Sequence, residues 1–165
     1  MFNMGTKEGR EFNLKLKDDL GSPIALRLNF VDVICDNSLK SVYANGKKTG
    51  CQFDVRLSYY RGHFLSTIDI LKVFIDGREM PQQDITFSLK GKEYGLAQLP
   101  DLVNVFWPIT EPATIKVFLP GGLAEGQHDI NFVMYFRSPY MAIGKGQYMP
   151  INSSGEKTLV LNELI

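Results

Sequence analysis

Histidine, cysteine and tryptophan are scarce in this chain: 165 residues include two histidines, two cysteines and one tryptophan. A protein metal site needs several His, Cys, Asp or Glu that converge, and His63 and His128 lie far apart in the sequence without ligand-type spacing. Cys35 and Cys51 are too few for a disulfide scaffold and sit among apolar neighbours, so both read as buried thiols. An excess of either charge is also absent, with 18 basic residues balancing 18 acidic ones. Phosphate binding draws most of its affinity from clustered Lys and Arg, so nucleic acid and anionic membranes are excluded as principal partners. No run of apolar residues is long enough to cross a bilayer, and the first residues carry charge where a secretory signal needs an apolar stretch. A soluble, reducing, cytoplasmic setting is the expectation. Hydrophobic residues at 44% rule out a disordered regulator.

Catalytic signatures are missing as well. No Gly-x-Ser-x-Gly elbow occurs, Gly144-Lys145-Gly146 has no helix behind it to cradle a phosphate, and Asp18-Asp19 reads as a solvated turn. The chain holds no self-sufficient catalytic constellation and no metal set, which directs attention to binding or to a subunit role.

What the sequence does have is alternation. Cys51, Phe53, Val55, Leu57 and Tyr59 are apolar or aromatic, while Gln52, Asp54, Arg56 and Ser58 fill the positions between, as in a half-buried strand. Ile24-Leu26-Leu28-Phe30 and His128-Ile130-Phe132-Met134-Phe136 repeat the pattern. Shorter versions fall at Phe12-Leu14-Leu16, Ile85-Phe87-Leu89, Ile115-Val117-Leu119 and Leu159-Leu161. Asn45-Gly46 and Asp76-Gly77 are hairpin dipeptides, and Lys90-Gly91-Lys92 and Pro120-Gly121-Gly122 mark further reversals. No stretch has clean helical periodicity, and the nearest candidate, Leu96 to Val103, is interrupted by Pro100. The expected fold is all-β: one antiparallel two-sheet sandwich or jelly roll over residues 1–165, with a closed barrel as the alternative. Residues 1–21 read as an added edge strand or an arm, and residues 138–154, rich in Gly, Pro, Tyr and Met, as a long functional loop.

Tyr59, Tyr60, Arg61, Trp107, Tyr140, Met141, Tyr148 and Met149 concentrate near strand ends or in that loop, and these residue types are enriched in interface cores. For Tyr59 and Trp107 an ordinary core position explains the residue equally well. His63, following Tyr59-Tyr60-Arg61-Gly62, reads as an exposed strand-end residue able to touch a ligand or partner. His128, in phase with Ile130 and Phe132, reads as a core or rim histidine bonded to a neighbour.

The ordered series Asn37-Ser38-Leu39-Lys40, Gly-x-Gln-Phe-x-Val-Arg-Leu-x-Tyr-Tyr-Arg-Gly at 50–62, Val-Phe-Ile-Asp-Gly at 73–77, Trp107, Pro-Gly-Gly-Leu at 120–123, Gly-x-His at 126–128 and Tyr-Met-Pro at 148–150 resembles the small β subunit of C-glycoside deglycosidases. The likeness spans roughly 31–162, and the order of the series together with Tyr-Tyr-Arg-Gly carries it. The first thirty residues lie outside it, and a second Tyr-Met at 140 and 141 precedes the Tyr-Met-Pro. The resemblance implies a β-sandwich accessory subunit paired with a sugar-isomerase-like TIM-barrel α subunit that holds a divalent metal, commonly manganese, and the catalytic base. It implies cleavage of the C–C bond between a sugar and an aromatic aglycone after oxidation of the sugar to its 3-keto form.

On this reading the chain carries no catalytic residue, metal or cofactor of its own. Tyr59, Tyr60, Arg61, His63, Trp107, Tyr140, Tyr148 and Met149 meet the α subunit or the aglycone. Two other readings stay open: a stand-alone carbohydrate-binding sandwich centred on Trp107 or the tyrosines, and a small cupin-like enzyme using His63 and His128.

Overall fold

A computed structural model describes residue 27 and residues 31–163. The expected strands at Phe12-Leu16 and Ile24-Phe30 and the 1–21 arm lie outside the described residues. In chain order the strands are β1 (Lys40–Ala44), β2 (Lys47–Val55), β3 (His63–Phe64), β4 (Ile68–Ile75), β5 (Arg78–Glu79), β6 (Ile85–Leu89), β7 (Lys92–Gly95), β8 (Phe106–Trp107), β9 (Ala113–Phe118), β10 (Gly126–Gly144), β11 (Gln147–Asn152) and β12 (Gly155–Leu161). One sheet runs β1-β2-β9-β6-β7 and the other β11-β10-β4-β5, with β12 also paired to β10. The pairings are antiparallel, and the sheets face each other as a sandwich, not a closed barrel. Phe53 of β2 meets Phe132 of β10 edge to face, ring centroids 6.3 Å apart, and both are fully buried. Removing a side chain of that size from water stabilises by about 2–3 kcal/mol.

Three hairpins use the expected dipeptides. Asn45-Gly46, Asp76-Gly77 and Lys90-Gly91 all have positive φ at both positions, the conformation whose twist matches the flanking strands. The burial period of β2 outlasts its hydrogen bonds: Leu57 and Tyr59 are as buried as Cys51, Phe53 and Val55. Beyond Val55 the chain leaves its sheet for the other, where Ser58 meets Ser153 through paired hydroxyls 3.1 Å apart.

Strand β4 escapes the alternation test because Ile68 and Leu71 are out of phase, yet both belong to the core. A bulge is the cause. Tyr135 and Phe136, adjacent on β10, pair with Ile70 and Ile68, leaving Asp69 as the extra residue. Its fully buried carboxylate faces the Arg137 guanidinium at 3.4 Å, and Arg137 Nη2 also donates to the Ser66 carbonyl at 2.9 Å.

The expected long loop at 138–154 is a correction. Most of it is strand: β10 continues to Gly144 and β11 returns from Gln147, reversing at Lys145-Gly146. Two prolines suggested a connection, but β11 is an edge strand, where a missing N–H is tolerated, and Pro139 sits where the ladder is interrupted. Along one edge of β10, β12 pairs with the first half and β11 with the second. The Leu96–Val103 segment is a short 3-10 helix, Leu96–Asp101, lying against β4.

Candidate functional site

Where the chain emerges from the sandwich after Tyr59, the Tyr-Tyr-Arg-Gly element meets the far half of β10. Tyr59 is buried and touches Tyr60 (ring centroids 4.3 Å), His63 (5.3 Å) and Phe136 (5.9 Å). Tyr60 and Tyr140 are about half exposed, and the Arg61 guanidinium lies 3.8 Å from the centre of the Tyr140 ring and 5.8 Å from that of Tyr60. A cation held this close over a ring gains from its quadrupole while staying hydrated on its outer side. Behind this exposed layer His63 packs on Phe136 at 4.3 Å and faces Tyr140 at 6.2 Å.

Gly62 lets the chain pass here. A Cβ at that position would lie 2.6 Å from both the Phe106 ring and the Trp107 carbonyl, so the close approach requires glycine. The approach seats the β3–β8 ribbon, whose outer side shows Phe64 and Phe106 in an edge-to-face pair at 5.1 Å. Both phenylalanines are exposed, as are Val103 and Ile109 nearby in sequence.

His63 departs from the sequence expectation. It is only 4% exposed, and neither ring nitrogen has a hydrogen-bond partner among the described residues. Burial, reinforced by the Arg61 charge, pushes its pKa down to about 4, so the ring is neutral at pH 7. Burial also raises the Tyr59 phenol, with Tyr60 reinforcing and Ser138 opposing the shift.

Trp107 is 1% exposed, packs edge to face on Phe87 at 5.1 Å and donates its indole N–H to the Glu111 carbonyl at 2.8 Å. It is a core residue, which removes the tryptophan from the surface expected to touch a ligand. Tyr148 is half-buried on β11 opposite Ala142, and Met141 and Met149 pack against the core. The structure therefore gathers Tyr59, Tyr60, Arg61, His63 and Tyr140, while Trp107, the cross-strand partner of His63, lies beneath them in the core. Two features carry no signal in the sequence: Phe136 packs beneath Tyr59 and His63, and Phe64 and Phe106 form an exposed pair on the adjoining ribbon.

His128 occupies a different setting. Its Nδ1 lies 2.7 Å from Asp76 Oδ2 and its Nε2 lies 2.7 Å from the Ala124 carbonyl, while Asp76 Oδ1 accepts the Asp129 N–H at 2.9 Å. Burial alone would lower its pKa, but the Ala124 and Asp76 acceptors outweigh it and raise the value, favouring the imidazolium. The His128 bond in turn lowers the Asp76 carboxyl. The Asp-Gly turn and the Gly-x-His element thus form one clamp between β4 and β10. Among the described residues no three His, Cys, Asp or Glu converge as a metal set, and the two histidines do not meet. These residues do not fit a divalent metal. No helix is long and apolar enough to cross a membrane among the described residues.

A model of the C-glycoside deglycosidase beta subunit family matches residues 30–140. The chain belongs to that family. A C-glycoside deglycosidase beta subunit from Eubacterium cellulosolvens is 43% identical over 97 residues, covering 59% of this chain and 66% of that protein. The match therefore spans just under two thirds of that relative's length. One from Arthrobacter globiformis is 26% identical over 113 residues, 68% of this chain and 86% of the relative. The 3'-dehydrocarminate deglycosidase beta subunit of Microbacterium sp is 27% identical over 118 residues, 71% of this chain and 87% of the relative. A beta subunit implies a partner subunit in a heteromeric complex. The matched stretch contains the whole aromatic surface from Tyr59 to Tyr140 as well as the His128 clamp.

Proposed function

We propose that this chain is the accessory β subunit of a heteromeric carbon–carbon lyase that releases an aromatic aglycone from a 3-keto-C-glycoside. The observation that carries the reading is the family match over residues that include the exposed Tyr60-Arg61-Tyr140 cluster and the exposed Phe64–Phe106 pair. Such a surface suits a protein partner or a planar aromatic group better than a bare sugar. The Microbacterium relative is named for a 3'-dehydro substrate, which supports the keto form.

The keto group explains why a C–C bond can break. A carbonyl at C3 acidifies the C2–H bond, loss of that proton builds the C1=C2 double bond, and the electron pair of the C1–aryl bond leaves with the aglycone. An ortho or para phenol on the aglycone lets the attached ring carbon take a proton first, giving the dienone tautomer, so that the pair of the C1–aryl bond returns to the ring and restores the aromatic phenol. Base and divalent metal, manganese on the family resemblance, belong to a TIM-barrel α subunit in this proposal. In this proposal neither comes from this chain, among whose described residues no three His, Cys, Asp or Glu converge. Its task is to bind that partner, to present Arg61 and the tyrosines at the shared surface, and to keep water from it.

Co-expression with a sugar-isomerase-like barrel subunit tests the reading. Co-elution, and cleavage of a 3-keto-C-glycoside by the mixture exceeding that of either chain alone, is the expected result. A chain that remains separate and leaves cleavage unchanged contradicts it. A saturable affinity for plain sugars without any partner would favour the binding-module alternative.

A further inference from the structure

His63 combines two properties that proteins seldom tolerate together: burial of 96% of its surface and two ring nitrogens without a hydrogen-bond partner. A neutral imidazole offers one donor and one acceptor, and leaving both unmet costs stability. Phenylalanine would fill the same space against Tyr59 and Phe136 without that cost. A polar ring kept in an apolar setting points to a ligand that supplies the missing bond.

Among the described residues, the one in front of His63 has no ladder partner. The β10–β11 ladder passes from the pair Arg137 with Pro150 directly to Ala142 with Tyr148, skipping Ser138 to Met141. The β4 pairing has already ended at Phe136. Tyr140 rides on this wide bulge, and its neighbour Pro139 has no N–H to offer. A segment with few ladder bonds opens at lower cost than the paired strand on either side. Tyr140 is itself a phenol ring that rests under the flat Arg61 guanidinium, yet its hydroxyl bonds neither His63 nitrogen.

We propose that the Ser138–Met141 bulge covers a binding site for a hydroxylated aromatic ring: the incoming ring takes the place of Tyr140 beneath Arg61, and its hydroxyl bonds the His63 imidazole. With the Tyr140 and His63 centroids 6.2 Å apart, a hydroxyl on the near edge of a ring in that place comes within hydrogen-bond reach of a His63 nitrogen. Arg61 holds the face of the ring, Phe136 fixes the imidazole from behind, and the hydroxyl distinguishes a phenol from a plain arene. A buried polar group that is satisfied only by the correct ligand gives stronger discrimination than apolar contact does. The site deepens the subunit reading above and rests on it for its biological ligand, which is a phenolic aglycone or a tyrosine of the partner subunit. The chemistry is the same for both.

Because the chain has only two histidines, the test is clean. The full chain, labelled with 15N in its histidine rings, is titrated with 4-nitrophenol and, separately, with nitrobenzene. Saturable movement of the His63 signals by 4-nitrophenol alone, with His128 unmoved, is expected. Tyr140→Ala, which removes the cover, should tighten binding about threefold, and His63→Phe should weaken it about tenfold while raising the melting temperature.

Adding the partner subunit separates the sources. If the partner alone moves His63 and then blocks 4-nitrophenol, the ring is a partner tyrosine; if His63 in the complex still answers to 4-nitrophenol, the ligand is the small molecule. Equal shifts with both compounds, or a His63 that responds to neither compound nor partner, overturns the proposal. Co-elution is scored independently: a chain that binds its partner with His63 silent loses this site alone, and a chain that binds phenol but no partner loses the subunit reading alone.

Discussion

The two histidines mark opposite stretches of β10, His128 on the strand and His63 packed against it, under opposite conditions. His128, near the start of the strand, has an acceptor on each ring nitrogen and is held towards the charged form. His63, packed on Phe136 further along, has none and is held neutral. Around His128 the polar groups satisfy one another and tie a turn to a strand. Around His63 they remain unsatisfied beneath an exposed cation–aromatic layer. A region that completes its own hydrogen bonds needs nothing from outside, whereas one that leaves them open at an aromatic surface is prepared for a partner.

The largest stability effect is expected beneath the His63 end. Arg137→Leu removes the cation 3.4 Å from the fully buried Asp69 carboxylate together with the bond to the Ser66 carbonyl and should cost about 4 kcal/mol in a urea titration, because truncating one member of a buried ion pair is strongly unfavourable. Acid comes next. The His63 pKa in the fold, about 4, lies below its ordinary 6.5, so its contribution is complete above 6.5 and is lost as pH falls towards 4. The loss approaches roughly 3 kcal/mol and should be absent from the same pH series on His63→Phe.

The His128 clamp runs the other way: its raised pKa makes its contribution complete below 6.5 and lost as pH rises through the folded value. Asp76→Asn should flatten that alkaline decline and cost about 1 kcal/mol, a modest figure because the Asp76 side chain is 49% exposed. Arg61→Ala should change stability by less than about 0.5 kcal/mol, since the side chain is exposed, yet weaken association with the partner subunit about tenfold in a binding titration.

Much of the sandwich was legible because one face of each main strand is buried. The alternation at Cys51-Tyr59 and Ile130-Phe136 is the alternation of the core, and each Gly-containing hairpin dipeptide adopts the positive φ it suggests. Strand β4 was hidden by the Asp69 bulge, which shifts its phase by a residue. The hairpin at 138–152 was hidden because proline and glycine signal loops until their edge or bulge position is known. In the candidate site, Tyr59, Tyr60, Arg61, His63 and Tyr140 were legible as a group, but their depth was not. Residue type does not reveal that His63 turns inward while Phe64 turns out, nor that Trp107 satisfies its N–H on Glu111 and stays in the core. The phase of the two-residue ribbon β3–β8 depends on the close approach at Gly62, a tertiary contact.

Hydrogen exchange followed by mass spectrometry, on the full chain alone and after addition of a sugar-isomerase-like barrel subunit, compares the two regions in one experiment. Protection that appears over residues 59–64 and 138–142 and spares 124–129 is the predicted result. Protection centred on the His128 clamp, or an unchanged profile at both ends, would contradict the assignment of the aromatic end as the working surface of this β subunit.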